Sequence, residues 1–431
     1  MSLDCEQNHM ITDSLKIAVQ LASVNRSQWW PAEKIRHRQE QFLVDTLRYA
    51  IERVPYYRNL GIDGNQITSA TDLNRFPVLT KSNLQDNQAG MLAEGFDLNT
   101  CKTSTTSGST GEPTTSAFDR DTWLLSKYTL KIRRMLAHGV GIGKRVLVVS
   151  EMHPDEIAAT SGIFGAGVLF GQRYVSIHEP VSQGLHVMRS FRLHALYAFP
   201  SYLAELLEYC EQHGETLPGL GVIFTSSEVL GEGLRHRLMD TFSADICDVY
   251  GNTEFKEVAW QCRSGRYHIN FESTWVETID DGDDEFGTVL LTTLVNRAMP
   301  LIRYRVGDRV RIGAGVCDCG RSGPWLAAVS GREVDMLLLA DGRKLSPYLL
   351  TSLIELDPGI RRYQIVQESL SDLNVRYISP AEGAVNEGQL KQSLTGVLGD
   401  SMQIRFERVP DLPRTARGKQ KVFIRDFEPD T

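Results

Sequence analysis

The chain has 431 residues, 42% hydrophobic and 23% charged, and 46 lysines and arginines against 54 acids leave a net charge of −8. That length exceeds the roughly 250–300 residues at which a single core stops growing, so at least two domains are expected, one large and one small. A mildly acidic chain without a dense basic stripe is a poor nucleic-acid binder, and no run of about 18 apolar residues is available to cross a membrane.

The first thirty residues carry Asp4, Glu6, Asp13 and Lys16 and lack the apolar stretch behind a basic start that marks a signal peptide. Seven cysteines (Cys5, Cys101, Cys210, Cys247, Cys262, Cys317 and Cys319) form an odd, sparse set that suits a reducing cytoplasm rather than a disulfide scaffold. Leu43, Leu47, Ala50, Ile51 and Val54 fall at helical spacing, with Pro31 opening the segment and Pro55 closing it. A Gly/Ser/Thr segment follows at 103–115, then a strand-like stretch and a helix from Asp121 onward. The apolar runs RVLVVS (145–150), GVIFT (221–225) and DICDVY (245–250) read as buried strands, with a helix around 234–242 between the last two. Strand, helix, strand predicts parallel crossover units in an α/β sheet. Short strands at 288–294, 300–305 and 309–312 make the next region β-rich. Beyond Gly331 the pattern predicts a small α+β domain: an Asp341-Gly342 hairpin turn, helices near 347–356 and 388–398, and strands near 362–367, 373–378 and 402–409.

Five segments carry chemistry. Thr103 to Thr115 reads TSTTSGSTGEPTT. Its glycines allow close backbone approach, and its hydroxyls and N–H groups suit phosphate oxygens. It lacks a Walker lysine; composition alone also fits a linker. Tyr250 to Glu254 reads YGNTE and follows a strand end, where α/β ligand sites sit. An aromatic ring can cover a base, and a carboxylate oxygen suits a hard cation. Arg303 to Asp308 reads RYRVGD, and a carboxylate there can accept from both hydroxyls of a vicinal diol. Gly331 to Asp335 reads GREVD, and Pro413 to Lys419 reads PRTARGK.

In this order and spacing the segments resemble the motifs of the adenylate-forming (acyl-CoA synthetase) superfamily. The Pro-Thr ending of the first loop, together with VPYYRNL (54–60) and TDLNRFPVLTKSNL (71–84), is similar to phenylacetate-CoA ligase and its relatives. The resemblance runs from the helix near Leu43 to Lys419. It implies an α/β fold: a large ATP- and acid-binding domain over 1–331, made of α/β subdomains plus a β-rich region, and a small mobile α+β domain over 332–431 that carries the catalytic lysine. It implies catalytic roles for Lys419, Glu254 and Thr106, and ATP or AMP contacts for Ser107, Gly108, Ser109, Thr110, Gly111, Ser227, Glu228, Tyr250, Gly251, Asn252, Thr253, Asp308 and Arg332. Tyr250 would stack on adenine, Glu254 hold magnesium, Asp308 hold the ribose, and Lys419 bridge the carboxylate and the α-phosphate. Val334 occupies a position where many members carry the pivoting aspartate, so either Val334 or Asp335 marks the hinge.

The expected reaction activates a carboxylic acid, an aryl or other small acid, with ATP to acyl-AMP, then transfers it to coenzyme A. Two anions must meet, so fixed cations and dipoles have to offset their repulsion. Two alternatives keep the same motifs: adenylation with another acceptor (a carrier protein, an amine, or a cofactor hydroxyl that takes AMP), and nucleotide binding without turnover. Cys262, His268, Cys317 and Cys319 together match a tetrahedral structural zinc site, or are four unrelated side chains. The acid pocket is expected around Phe199 to Tyr202 and the flanks of YGNTE. There Lys256 reads as a solvated lysine or as a partner for a polar group on the acid. Relatives are often dimers, and a homodimer is the assembly that the resemblance suggests.

Overall fold

The computed structural model describes residues 3–105, 114–160, 171–279, 286–332, 336–415 and 418–427. The chain divides into two compact units, each made of two segments: Met1–His138 with Val249–Val329, and Gly139–Asp248 with Ser330–Thr431.

In the first unit, Pro31 precedes a helix over Ala32–Arg53, which buries Ile35, Leu43, Leu47 and Ala50 along one face. Leu43, Leu47 and Ala50 join one core cluster with Val258, Val289, Leu291 and Tyr304 from the strands. Those strands form an antiparallel array in the order Thr274–Ile279, Gly287–Thr293, Tyr304–Ile312, Trp325–Arg332, Tyr267–Ile269 and Lys256–Gln261. The two strands expected at 300–305 and 309–312 are one strand, Tyr304–Ile312. Pairing continues because Gly307, at φ +79°, lets the chain bulge without ending the ladder. A 25-residue helix over Leu3–Ser27 is absent from the sequence reading. Ile11, Leu15 and Val19 stand exposed on it, and an ion pair from Asp13 to Arg120 (2.7 Å) with another from Lys16 to Asp121 ties it down. Such partners, over a hundred residues away, leave no periodic signal.

The second unit holds a parallel sheet in the order Gln172–Ser176, Val146–Ser150, Ala195–Ala198 and Val222–Ser226. The first strand in the chain is central, the second lies on one side and the third on the other. This is a doubly wound order with its switch point between Val146–Ser150 and Ala195–Ala198. Helices Val181–Phe191, Pro200–His213 and Glu232–Phe242 bury leucines, Phe242 and Tyr202 against it. The same unit contains a four-stranded sheet in the order Gln403–Arg408, Asp372–Ile378, Arg362–Gln367 and Phe423–Arg425, backed by helices Pro347–Ile354 and Glu387–Leu398. Leu350, Ile354, Leu390, Leu394 and Ile365 make its separate core. The hairpin at Asp341-Gly342 is present, with Leu337 opposite Leu345 and Gly342 at φ +86°.

Two buried ion pairs brace the first unit. Arg134 lies 3.1 Å from Glu257, and Arg133 lies 2.6 Å from Glu272 and 2.5 Å from Asn270 Oδ1. Replacing one partner strands a desolvated charge. Glu257→Ala should therefore lower stability by roughly 3–5 kcal/mol, read as an earlier denaturant midpoint by tryptophan fluorescence. An unchanged midpoint would show that the pair contributes nothing.

Candidate active site

The motifs fall into both units. In the first, strands Lys102–Thr105 and Thr115–Phe118 pair in register and flank the Gly/Ser/Thr loop. Thr106, Ser107, Gly108, Ser109, Thr110 and Gly111 lie outside the described residues. Tyr250, Gly251 and Asn252 end the strand Asp245–Asn252. A Cβ on Gly251 would sit 2.1 Å from the carbonyl oxygen of Lys256, so only glycine permits this turn. Asn252 Oδ1 accepts from the Phe255 N–H at 2.8 Å and closes the turn around Thr253. Glu254 is buried and accepts from the Tyr304 hydroxyl at 3.0 Å. Asp308 follows Gly307 in the bulge of Tyr304–Ile312, where four steps of that strand oppose two of its neighbour. Its carboxylate accepts from the Tyr250 hydroxyl at 2.8 Å. The tyrosine and aspartate of two separate motifs thus form one unit.

Lys256 is not a solvated lysine. Its ammonium donates to Ser104 Oγ at 2.5 Å and lies 5.1 Å from the Phe118 ring and 5.2 Å from the Trp123 ring. Burial first, then the charge of Lys127, pulls it down to about 8, against the pull of Glu254. It joins the strand entering the Gly/Ser/Thr loop to the YGNTE turn. Its backbone is left-handed (φ +65°), as are those of Ser227 (φ +70°) and Arg303 (φ +52°). Lys256, just past YGNTE, and Arg303, at the head of RYRVGD, mark strain that the core of the first unit sustains.

In the second unit, Glu151 follows the first parallel strand, Phe199 the third, and Ser227 and Glu228 the fourth. All stand at carboxyl ends of strands. Lys419 lies 2.7 Å from Glu151, with its ammonium 5.0 Å from the Phe199 ring. A tight turn presents it: Thr415 N–H donates to Lys419 O at 2.7 Å, and Gly418, at φ +79°, donates to Thr415 O at 2.8 Å. Glu228 accepts from Ser201 N–H at 2.8 Å and Ser201 Oγ at 2.9 Å. Burial raises its pKa, while the Ser201 bonds, the charge of Lys419 and a backbone bond from Gln420 oppose the rise. Tyr202, expected near the pocket, is core: its hydroxyl fills the space beside Gly184. Arg332 closes the strand Trp325–Arg332; its side chain, and residues Glu333, Val334 and Asp335, lie outside the described residues. Glu151 escaped the sequence reading, although its place directly after an apolar strand run was a usable signal.

A second cluster lies in the first unit. Cys262, His268, Cys317 and Cys319 bring one donor atom each to within 4.8 Å of one another. The Cys262 and Cys317 sulfurs are 3.7 Å apart, and Cys319 Sγ is 3.3 Å from His268 Nε2. Two matching turns supply the thiols, CRSGR at 262–266 and CDCGR at 317–321. In each, the cysteine N–H donates to the arginine carbonyl at 3.0 Å and the glycine N–H returns to the cysteine carbonyl, at 2.9 and 2.8 Å. Burial, then Arg321 and Arg133, pulls His268 down to about 3, so its imidazole is neutral. Burial pushes Cys317 up to about 12. Burial opposes ionisation of Cys319 too, but N–H groups of Arg321 outweigh it and lower that thiol.

Known proteins resemble this chain in sequence and in fold. A family model described as the CapK C-terminal domain matches residues 337–426. A phenylacetate-coenzyme A ligase of Thermus thermophilus is 26% identical over 383 residues, 84% of this chain and 82% of its own. The corresponding ligase of Escherichia coli is 26% identical over 96% of this chain and 98% of its own. A crystal structure of 2-hydroxyisobutyryl-CoA ligase in the postadenylation state superposes at a TM-score of 0.77 over 92% of this chain and 91% of that one, at 21% identity. Over most of its length the chain is similar to phenylacetate-coenzyme A ligases, and it shares the fold of an acyl-CoA ligase. Tyr250 and Asp308, expected at the base and the ribose of a nucleotide, are joined by this one hydrogen bond. Tyr250→Phe keeps the ring and removes that bond. Loss of about 1 kcal/mol should raise the AMP dissociation constant roughly fivefold in a calorimetric titration, and an unchanged constant would remove the Tyr250–Asp308 pair from the site.

Proposed function

We propose that the protein activates a small carboxylic acid with ATP as an acyl-AMP and passes the acyl group to coenzyme A. The observation that carries this reading is Lys419, held by Glu151 at the switch point of the parallel sheet. A carboxylate already occupies its ammonium, and the acid substrate offers the same group. Lys419 would pair the acid's carboxylate and the α-phosphate as they approach, which offsets the repulsion of two anions. Asp308 would take the ribose hydroxyls and Tyr250 the adenine face. Glu254 would offer a carboxylate oxygen to magnesium, whose role is to neutralise the triphosphate. Residues 106–111 would cradle the departing pyrophosphate. The functional division is 1–331 and 332–431, with the hinge near 331–335 swinging Lys419 away before the thiol enters.

Lys419→Ala should abolish acid-dependent pyrophosphate release while AMP binding survives, and unchanged release would remove the lysine from the reaction. The assay uses ATP, magnesium and a panel of phenylacetate, benzoate, anthranilate and short aliphatic acids, with and without coenzyme A. Multiple turnover only with coenzyme A supports the ligase, whereas release indifferent to coenzyme A assigns another acceptor.

Zinc fits the Cys/His cluster. A tetrahedral zinc with bonds of about 2.3 Å to sulfur places two thiolates about 3.8 Å apart, and Cys262 and Cys317 stand at 3.7 Å. Four protein ligands leave no open position, so the role is structural. Elemental analysis should find about one zinc per chain, and Cys317→Ser should lose it and lower the melting temperature. A metal-free protein with an unchanged melting curve in the variant overturns the assignment.

A further inference from the structure

Helix Pro200–His213 carries glutamates at every third position, Glu205, Glu208 and Glu211. Each meets an arginine from beyond residue 360. Arg362 Nε lies 2.7 Å from Glu208, with both side chains about nine-tenths buried. Arg361 Nε lies 2.6 Å from Glu211, at an angle that makes it a pairing of charges rather than a hydrogen bond, and Arg237 holds the same glutamate at 3.0 Å. Arg414 pairs with Glu205. The arginines are not scattered along the tail. Arg362 also reaches Asp411 at 3.1 Å, and Gln420 Nε2 donates to Tyr363 O at 2.8 Å. Arg414 bridges to Gln420 in the turn that presents Lys419. The segment 411–420 is therefore clamped at both ends to the strand Arg362–Gln367 and to this one helix. Nearby, Glu355 takes the Gly233 N–H at 2.6 Å at the start of helix Glu232–Phe242, and the Tyr363 hydroxyl at 2.7 Å.

We propose that Glu205, Glu208 and Glu211 are positioning residues for Lys419: the acidic side of this helix docks residues 361–362 and 411–420 so that the lysine reaches the strand ends for acyl-AMP formation, and it must release them before thioester formation. The proposal rests on the reading of Lys419 as the adenylating lysine. The glutamates touch no substrate. They act through three arginines, a different one for each glutamate, so the docked geometry has a single register along the helix. Because Glu205 and Glu211 are part-exposed and Glu208 is buried, the clamp has one expensive contact and two cheap ones. It can hold one geometry and still be broken.

The test uses the full chain with Glu205→Gln, Glu208→Gln and Glu211→Gln. Without any ligand, hydrogen exchange of residues 411–422 should quicken in each variant, roughly tenfold for Glu208→Gln, while the strands 372–378 and 403–408 keep their protection. Unchanged exchange of 411–422 overturns the docking, and exchange raised throughout the four-stranded sheet means a merely structural role. With whichever acid of the panel supports ATP–pyrophosphate exchange in the wild type, adenylation should fall in kcat with KM for ATP little changed. Thioester formation from the preformed acyl-AMP of that acid should hold or rise. Equal losses in both half-reactions overturn the positioning role. If docking loosens as expected but Lys419→Ala still adenylates, the reading of Lys419 fails and the clamp stands as a docking device alone. Should Glu208→Gln not fold, the part-exposed Glu205→Gln carries the same comparison.

Discussion

The order of four parallel strands governs the second unit. With Val146–Ser150 central, the chain leaves its carboxyl end in one direction and returns on the other side to Ala195–Ala198. A crevice at that switch point is a consequence of right-handed crossovers, not of any one side chain. Glu151 and Phe199 stand at its two lips, and Ser227 and Glu228 follow on the next strand. A cation delivered there meets a carboxylate on one side and an aromatic face on the other, both attractive to an ammonium. The N–H groups of Thr415 and Gly418 close the turn on its own backbone, and Lys419 pairs with Glu151.

Two motifs of the first unit carry backbone strain. Lys256 and Arg303 adopt left-handed backbone conformations, which cost on the order of 1–3 kcal/mol each. Gly251 and Gly307 supply close approach and positive φ where a side chain would clash or strain. The bulge in Tyr304–Ile312 takes Asp308 out of the ladder, and a bulge at Val258 in the strand opposite Tyr250 shifts the register just after that tyrosine. The large antiparallel core beneath them sustains the distortion, because Val289, Leu291, Tyr304 and Val258 are buried in one cluster and resist relaxation.

The Cys/His cluster shows how register converts two weak local signals into one geometry. His268 pairs with Trp325 across antiparallel strands. That register brings the 317–321 turn beside the 262–266 turn. The arginine of each turn lies on an aromatic ring, Arg266 on Trp325 and Arg321 on Trp29 and Trp260. The thiols are aligned by backbone bonds of their own turns, so the donor set is preorganised by the chain.

Much of this was legible in the sequence. The apolar runs at 145–150, 221–225 and 245–250, the periodic helix before Pro55, and the alternation of the last hundred residues follow from burial of one face at a time, which leaves a period in the sequence. The motifs were legible because ligand chemistry demands particular residues in a particular order. Partnership was not legible. Glu151 for Lys419, Ser104 for Lys256, Tyr250 for Asp308, and Glu205, Glu208 and Glu211 for Arg414, Arg362 and Arg361 are pairs drawn from distant positions, and a charge in the sequence shows only that it needs water or an opposite charge. Which of the two it receives, and whether a lysine such as Lys256 is solvated or buried, was decided by strand order and register, because these alone determine which segments of the chain exclude water together.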